Sequence, residues 1–161
     1  MVTETDIWKL LEGISDPEVP VLSVIDLGIV RSVKIQEDQI HITITPTYSG
    51  CPAMGVIEQD IKEKLSKEGF INFKIDTVLT PAWTTDWISE EGRKKLKLYG
   101  IAPPENEPDK SVLFADPVKV QCPKCGSRDT RMVSQFGSTA CKAHYQCNNC
   151  LEPFDYFKCL K

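Results

Sequence analysis

"QIHITITPTYSGCPAMGVIEQDIKEKLSKEG", residues 39–69, decides the fold. Ile40, Ile42 and Ile44 share one face of a strand with a period of two, and His41 and Thr43 lie opposite. Further on, Ile57, Ile61 and Leu65 recur at helical spacing until Gly69, a residue suited to cap a helix C-terminus. A strand therefore hands over to a helix through one short loop. That loop holds Cys51 between Gly50 and Pro52, while the other six cysteines all lie beyond residue 120.

Working outward, "GIVRSVKI" (28–35) reads as a second strand, joined to the first by the polar "QED". Upstream, Ile7, Leu10, Leu11 and Ile14 mark a helix behind a cap at Thr3 or Thr5, and "SDPEVP" forces the chain out of it. Downstream, "FINFKIDTVLT" is strand-like and "TTDWISEEGRKKLKLYG" reads as a capped, strongly charged helix stopping at Gly100. Trp83 and Trp87 read as core aromatics closing the sheet, with a partner-docking patch as the alternative. The order is helix, two strands, helix, strand, helix. It implies an α+β fold, a small sheet with helices packed on one face.

"IAPPENEPDK" (101–110) combines three prolines with charge and lacks hydrophobic periodicity, so it reads as linker. The expected organisation is a first domain at 1–100, a Pro-rich linker at 101–117 and a cysteine-rich module at 118–161. The 161 residues suffice for one modest core and a small satellite. No apolar run approaches the roughly 18 residues that a bilayer span needs, and "MVTETDIWKL" lacks a secretion-signal layout. A cytoplasmic location with no membrane partner is the expectation. Residues 1–117 carry 12 basic and 20 acidic side chains, and residues 118–161 seven and three, so an acidic body (−8) precedes a basic tail (+4).

Seven cysteines without an export signal point to metal ligation rather than disulfides. Cys122 and Cys125, then Cys147 and Cys150, form two Cys-x2-Cys turns separated by 21 residues. Two such turns supply a tetrahedral four-sulfur site, and the strand-like "TRMVSQF" and "KAHYQC" between them complete a β-type zinc ribbon. Zinc is the expected ion, although iron fits the same sulfurs. A module of about 44 residues has too little core to fold comfortably without that metal. Cys141 and His144 form a competing Cys-x2-His pair, but a strand places them on opposite faces. Cys159 carries no pattern. The scattered basic residues make nucleic acid an unfavoured partner. A protein-interaction adapter and an electron-transfer subunit with iron in the ribbon both stay open.

Pro52 suits the first turn of a helix, which puts Cys51 at the N-cap, where free amides and the helix dipole favour a thiolate. A plain capping role is the bland alternative. Nucleophilic catalysis needs a base, and only His41 and His144 are available. A soft ligand for iron or a cluster fits the thiol better, with further ligands from a second copy in a homodimer, from Cys141 or Cys159, or from a partner.

"SDPEVPVLSVIDLGIVRSVKI" followed by "TPTYSGCPAM" resembles the SufT-type metal–sulfur cluster assembly domain through Asp16, Pro17, Glu18, Asp26, Leu27, Gly28, Val30, Gly50, Cys51 and Pro52. "LTPAWTTDWISEEGRKKLKLYGIAPP" and "QFGSTACKAHYQCNNCLEPFDYFKC" are similar to the PaaD family of small proteins encoded with phenylacetyl-CoA epoxidase. That resemblance implies a non-catalytic accessory factor of phenylacetate degradation. It would assemble or deliver an iron–sulfur cluster for the epoxidase subunits, chiefly the iron–sulfur flavin reductase. It also implies cluster handling at Cys51, support from Asp16, Glu18, Asp26, Gly50 and Pro52, and Cys141 as a second thiol. His144 departs from the family pattern, which leaves the local register open.

Overall fold

The alternation of buried and open side chains along residues 39–44 follows the isoleucine pattern: Ile40, Ile42 and Ile44 are buried and the residues between them half-exposed. The computed structural model describes residues 1–48, 50–105 and 118–158. Ser49, the stretch 106–117 that holds most of the expected linker, and Cys159 lie outside the described residues. The chain divides into two compact units, Met1–Gly92 and Arg93–Lys161.

In the first unit, helix α1 (Glu4–Leu11) is capped by Thr3, which exchanges hydrogen bonds with Asp6 in a capping box. Strands β1 (Val30–Gln36) and β2 (Gln39–Ile44) pair antiparallel through a tight hairpin in which Glu37 and Asp38 adopt positive φ. Helix α2 (Ala53–Lys67) then carries the chain back to β3 (Phe73–Thr77), which pairs parallel to β2. A parallel pair requires such a crossover, so the Cys51 loop is the connection leaving the carboxyl end of β2. Ile57, Ile61 and Leu65 of α2 are fully buried, as their spacing predicts.

Asp26 and Gly28 shape the segment before β1. The Asp26 carboxylate accepts from the Ser23 amide at 3.1 Å, and its carbonyl accepts from the Ser89 amide at 2.8 Å. Gly28 has φ +71°, and a Cβ there would stand 2.6 Å from the Trp87 carbonyl oxygen, so only glycine fits. Trp83 is buried and donates its indole N–H to the Leu27 carbonyl at 2.7 Å, the core role expected of it. Trp87 differs: it is partly exposed, and the Arg31 guanidinium lies 3.6 Å from its ring centroid. The helix expected from Thr84 onward splits into a 3-10 turn (Thr85–Trp87) and α3 (Glu90–Tyr99).

The second unit holds a four-stranded sheet in the order β4-β7-β6-β5, with β4 at Ile101–Ala102, β5 at Thr130–Ser134, β6 at Lys142–Cys147 and β7 at Pro153–Phe157. Ile101 and Ala102, placed in the linker by sequence, instead pair parallel to β7. They precede the first proline, and an edge strand of two residues is compatible with prolines immediately after it. The ribbon core gathers Val120, Tyr145, Phe154 and Tyr156 around the buried Cys122 and Cys147.

Candidate metal and thiol sites

Each Cys-x2-Cys turn of the ribbon is a hydrogen-bonded knuckle. The Gly126 amide donates to the Cys122 carbonyl at 3.0 Å, with Gly126 at φ +78°, and Leu151 takes φ +64° just after Cys150. The turns face each other. Cys122 Sγ lies 3.8 Å from Cys150 Sγ, Cys125 Sγ lies 3.6 Å from Cys147 Sγ, and all four sulfurs fall within 4.8 Å of one another. A tetrahedron with metal–sulfur bonds of about 2.3 Å has edges of about 3.8 Å, so the four cysteines fit one ion.

Electrostatics agree with that fit. The backbone N–H of Ser127 is the main influence on Cys125 and brings its thiol down to about 6. At Cys150 the Glu152 N–H pulls the same way, but burial and the sulfurs of Cys125, Cys147 and Cys122 prevail and push it up to about 12. Four sulfurs at this spacing ionise together only around a cation. Lys124 and Glu152, paired at 2.9 Å, tie one knuckle to the other from outside.

The competing pair does not join this group. Cys141 is buried with its sulfur 3.0 Å from Thr139 Oγ1, while His144 points to the half-exposed face, its Nδ1 3.7 Å from Asp155.

In the first unit, the Cys51 loop meets the turn at residues 16–19. The Asp16 carboxylate is buried and accepts from the amides of Glu18 at 2.7 Å and Val19 at 3.0 Å, which folds the turn. Glu18 in turn accepts from the phenol of Tyr48 at 3.2 Å. On the loop, Thr47 Oγ1 stands 3.9 Å from the Cys51 sulfur, and the Cys51 amide donates to the Tyr48 carbonyl at 3.2 Å. Burial, then Cys51, then Glu18 push the Tyr48 phenol well above its ordinary value, so it stays a protonated donor. Thr45 Oγ1, in the same loop, is buried with no hydrogen-bond partner among the described residues.

One expectation needs correction. Pro52, not Cys51, occupies the N-cap of α2, and the helix begins at Ala53. Pro52, at φ −68° and ψ −21°, makes no side-chain cap, the hydrogen-bonded helix starts at Ala53, and Cys51 lies one residue before the cap, partly exposed. His41 is no base for this thiol. It lines a cavity with Gln36, Glu37, Gln39 and Asn72 at the hairpin end of the sheet, away from the loop that follows Ile44. Gly50, at φ +76° with open space around its Cα, supplies the turn. Tyr48 is the site residue that sequence reasoning misses. An aromatic hydroxyl among the small residues of "TPTYSGCPAM" is the signal available for it.

Comparison with known proteins follows the same division. The iron–sulfur cluster assembly protein family matches residues 4–69, and the PaaD zinc beta ribbon domain matches residues 106–158. An Escherichia coli protein whose name makes it one of the subunits of 1,2-phenylacetyl-CoA epoxidase is 48% identical over 155 residues, covering 96% of this chain and 92% of that protein. An Fe-S protein maturation auxiliary factor of Porphyromonas gingivalis is 38% identical over 58% of this chain and 90% of its own length. A Bacillus anthracis domain of unknown function shares the fold at a TM-score of 0.55 and 30% identity, covering 58% of this chain and 90% of that domain. Among the described residues, no helix is long and apolar enough to cross a membrane.

Proposed function

From the premise that this chain belongs to the PaaD family, an iron–sulfur cluster assembly domain followed by a zinc ribbon, we propose that it is an accessory factor of phenylacetyl-CoA epoxidation. It handles an iron–sulfur cluster as cargo and does not catalyse the ring chemistry. The single observation that carries this reading is the Cys51 loop. A partly exposed thiol stands in the loop at the carboxyl end of β2, and His41, the one histidine of the same unit, lies at the hairpin end of the sheet instead. A lone open cysteine suits transient ligation, with the remaining ligands supplied by the cluster donor or acceptor.

The ribbon, in this reading, holds one structural zinc through Cys122, Cys125, Cys147 and Cys150 and serves as the docking module. The client is the iron–sulfur flavin reductase of the epoxidase system. A strain lacking this gene should yield reductase deficient in iron and sulfide, restored by the wild-type gene and not by Cys51→Ser. Fully loaded reductase from the deletion strain contradicts the proposal.

Rubredoxin-like electron transfer is the second reading, favoured by the same four-sulfur geometry. A colourless zinc protein after aerobic purification excludes it; a red, redox-active one supports it.

A further inference from the structure

We propose that β3 pairs antiparallel with β3 of a second copy of this chain, about a two-fold axis at Ile75. This pairing does not depend on the cluster reading of Cys51. β3 is the outer strand of the sheet β1-β2-β3, so one of its edges is open. The Ile40 amide donates to the Asn72 carbonyl at 3.0 Å, and the Val78 amide to the Ile44 carbonyl at 2.9 Å. A parallel ladder bonded at residues 72 and 78 uses the even-numbered residues between them and turns the N–H and C=O groups of Phe73, Ile75 and Thr77 outward. Among the described residues, no backbone hydrogen bond reaches those outward groups.

The side chains around Ile75 are self-complementary. Phe73, Ile75 and Thr77 share the face of Ile40, Ile42 and Ile44, and Ile71 and Leu79 flank them in phase. Ile71 is 92% exposed and Leu79 63%, two large apolar side chains left in water. With Ile75 opposite itself, Ile71 meets Leu79 of the second copy and Phe73 meets Thr77. On the other face, Lys74 meets the second copy's Asp76, and Asp76 its Lys74; within one chain the two already pair at 3.2 Å. A register shifted by two residues would set Lys74 against Lys74 or Asp76 against Asp76, so the charges select this one. Antiparallel pairing also sends the two Cys51 loops, each at the carboxyl end of its own β2, to opposite ends of the joint sheet. The second copy therefore does not complete a cluster site at Cys51.

The test is sedimentation equilibrium of the full-length zinc-loaded protein over a concentration series, which should show monomer and dimer in exchange. Lys74→Asp and Asp76→Lys each set like charges against one another at both symmetry-related pairs, and each should weaken the dimer by about ten- to a hundredfold. An equimolar mixture of the two variants restores opposite charges across the axis and should associate as wild type does. The double variant, Lys74→Asp with Asp76→Lys, keeps the charges opposite and should also dimerise like wild type, which preserves the test where a single variant fails to fold. A wild type that stays monomeric throughout, or single variants that dimerise as well as wild type, would overturn the proposal. So would a mixture no tighter than its components, or a double variant that has lost the dimer.

Discussion

The sulfurs of Cys125 and Cys147, 22 positions apart in the chain, stand 3.6 Å from each other. With Cys122 and Cys150 they make a cage of the size one tetrahedral ion requires. The small cluster around Tyr145 and Tyr156 is modest for an independent module, so ligation supplies much of its folding free energy, on the order of 10 kcal/mol for structural zinc. Cys147→Ser should abolish stoichiometric zinc and the near-UV circular dichroism of those tyrosines. Retention of both would separate the fold from the metal.

Gly28 and Trp87 make the second prediction. A side chain at position 28 meets both a left-handed φ and the Trp87 carbonyl. Gly28→Ala should cost about 2–4 kcal/mol, adding backbone strain to overpacking. Urea unfolding checks this, and a loss below about 1 kcal/mol would contradict the close approach.

The capping box gives a pH dependence. The Thr3 side chain and amide donate to Asp6 and hold its carboxyl below the ordinary 3.8. A carboxyl depressed in the folded state stabilises above that ordinary value, and the contribution fades as pH falls through the folded value. Trp8 of α1, half-buried, should report the loss in its fluorescence, and Asp6→Asn should remove that part of the acid transition. Identical acid titrations for the two proteins would contradict the assignment. Thr3→Ala should cost about 1 kcal/mol at neutral pH.

How legible was this molecule in its sequence? Ile40, Ile42 and Ile44 announced β2 because side-chain alternation is local, and Ile57, Ile61 and Leu65 announced the buried face of α2 for the same reason. The four ribbon cysteines were legible because their spacing is itself the ligand geometry. Ile101 and Ala102 were not, since their pairing with β7 joins residues more than 50 positions apart and leaves no local pattern. The Cys51 site was half legible. The thiol and its glycine and proline flanks stood in one stretch, but the Glu18–Tyr48 bond is a tertiary contact. The start of α2 differs by one residue because proline fits either side of the helix boundary.

Cluster handling by Cys51 is the central claim. Its most direct test is the zinc, iron and acid-labile sulfide content of anaerobically purified wild type and Cys51→Ser, measured side by side. Zinc in equal amount in both, with iron and sulfide in the wild type alone, is the predicted result. Iron and sulfide retained in full by Cys51→Ser would contradict it.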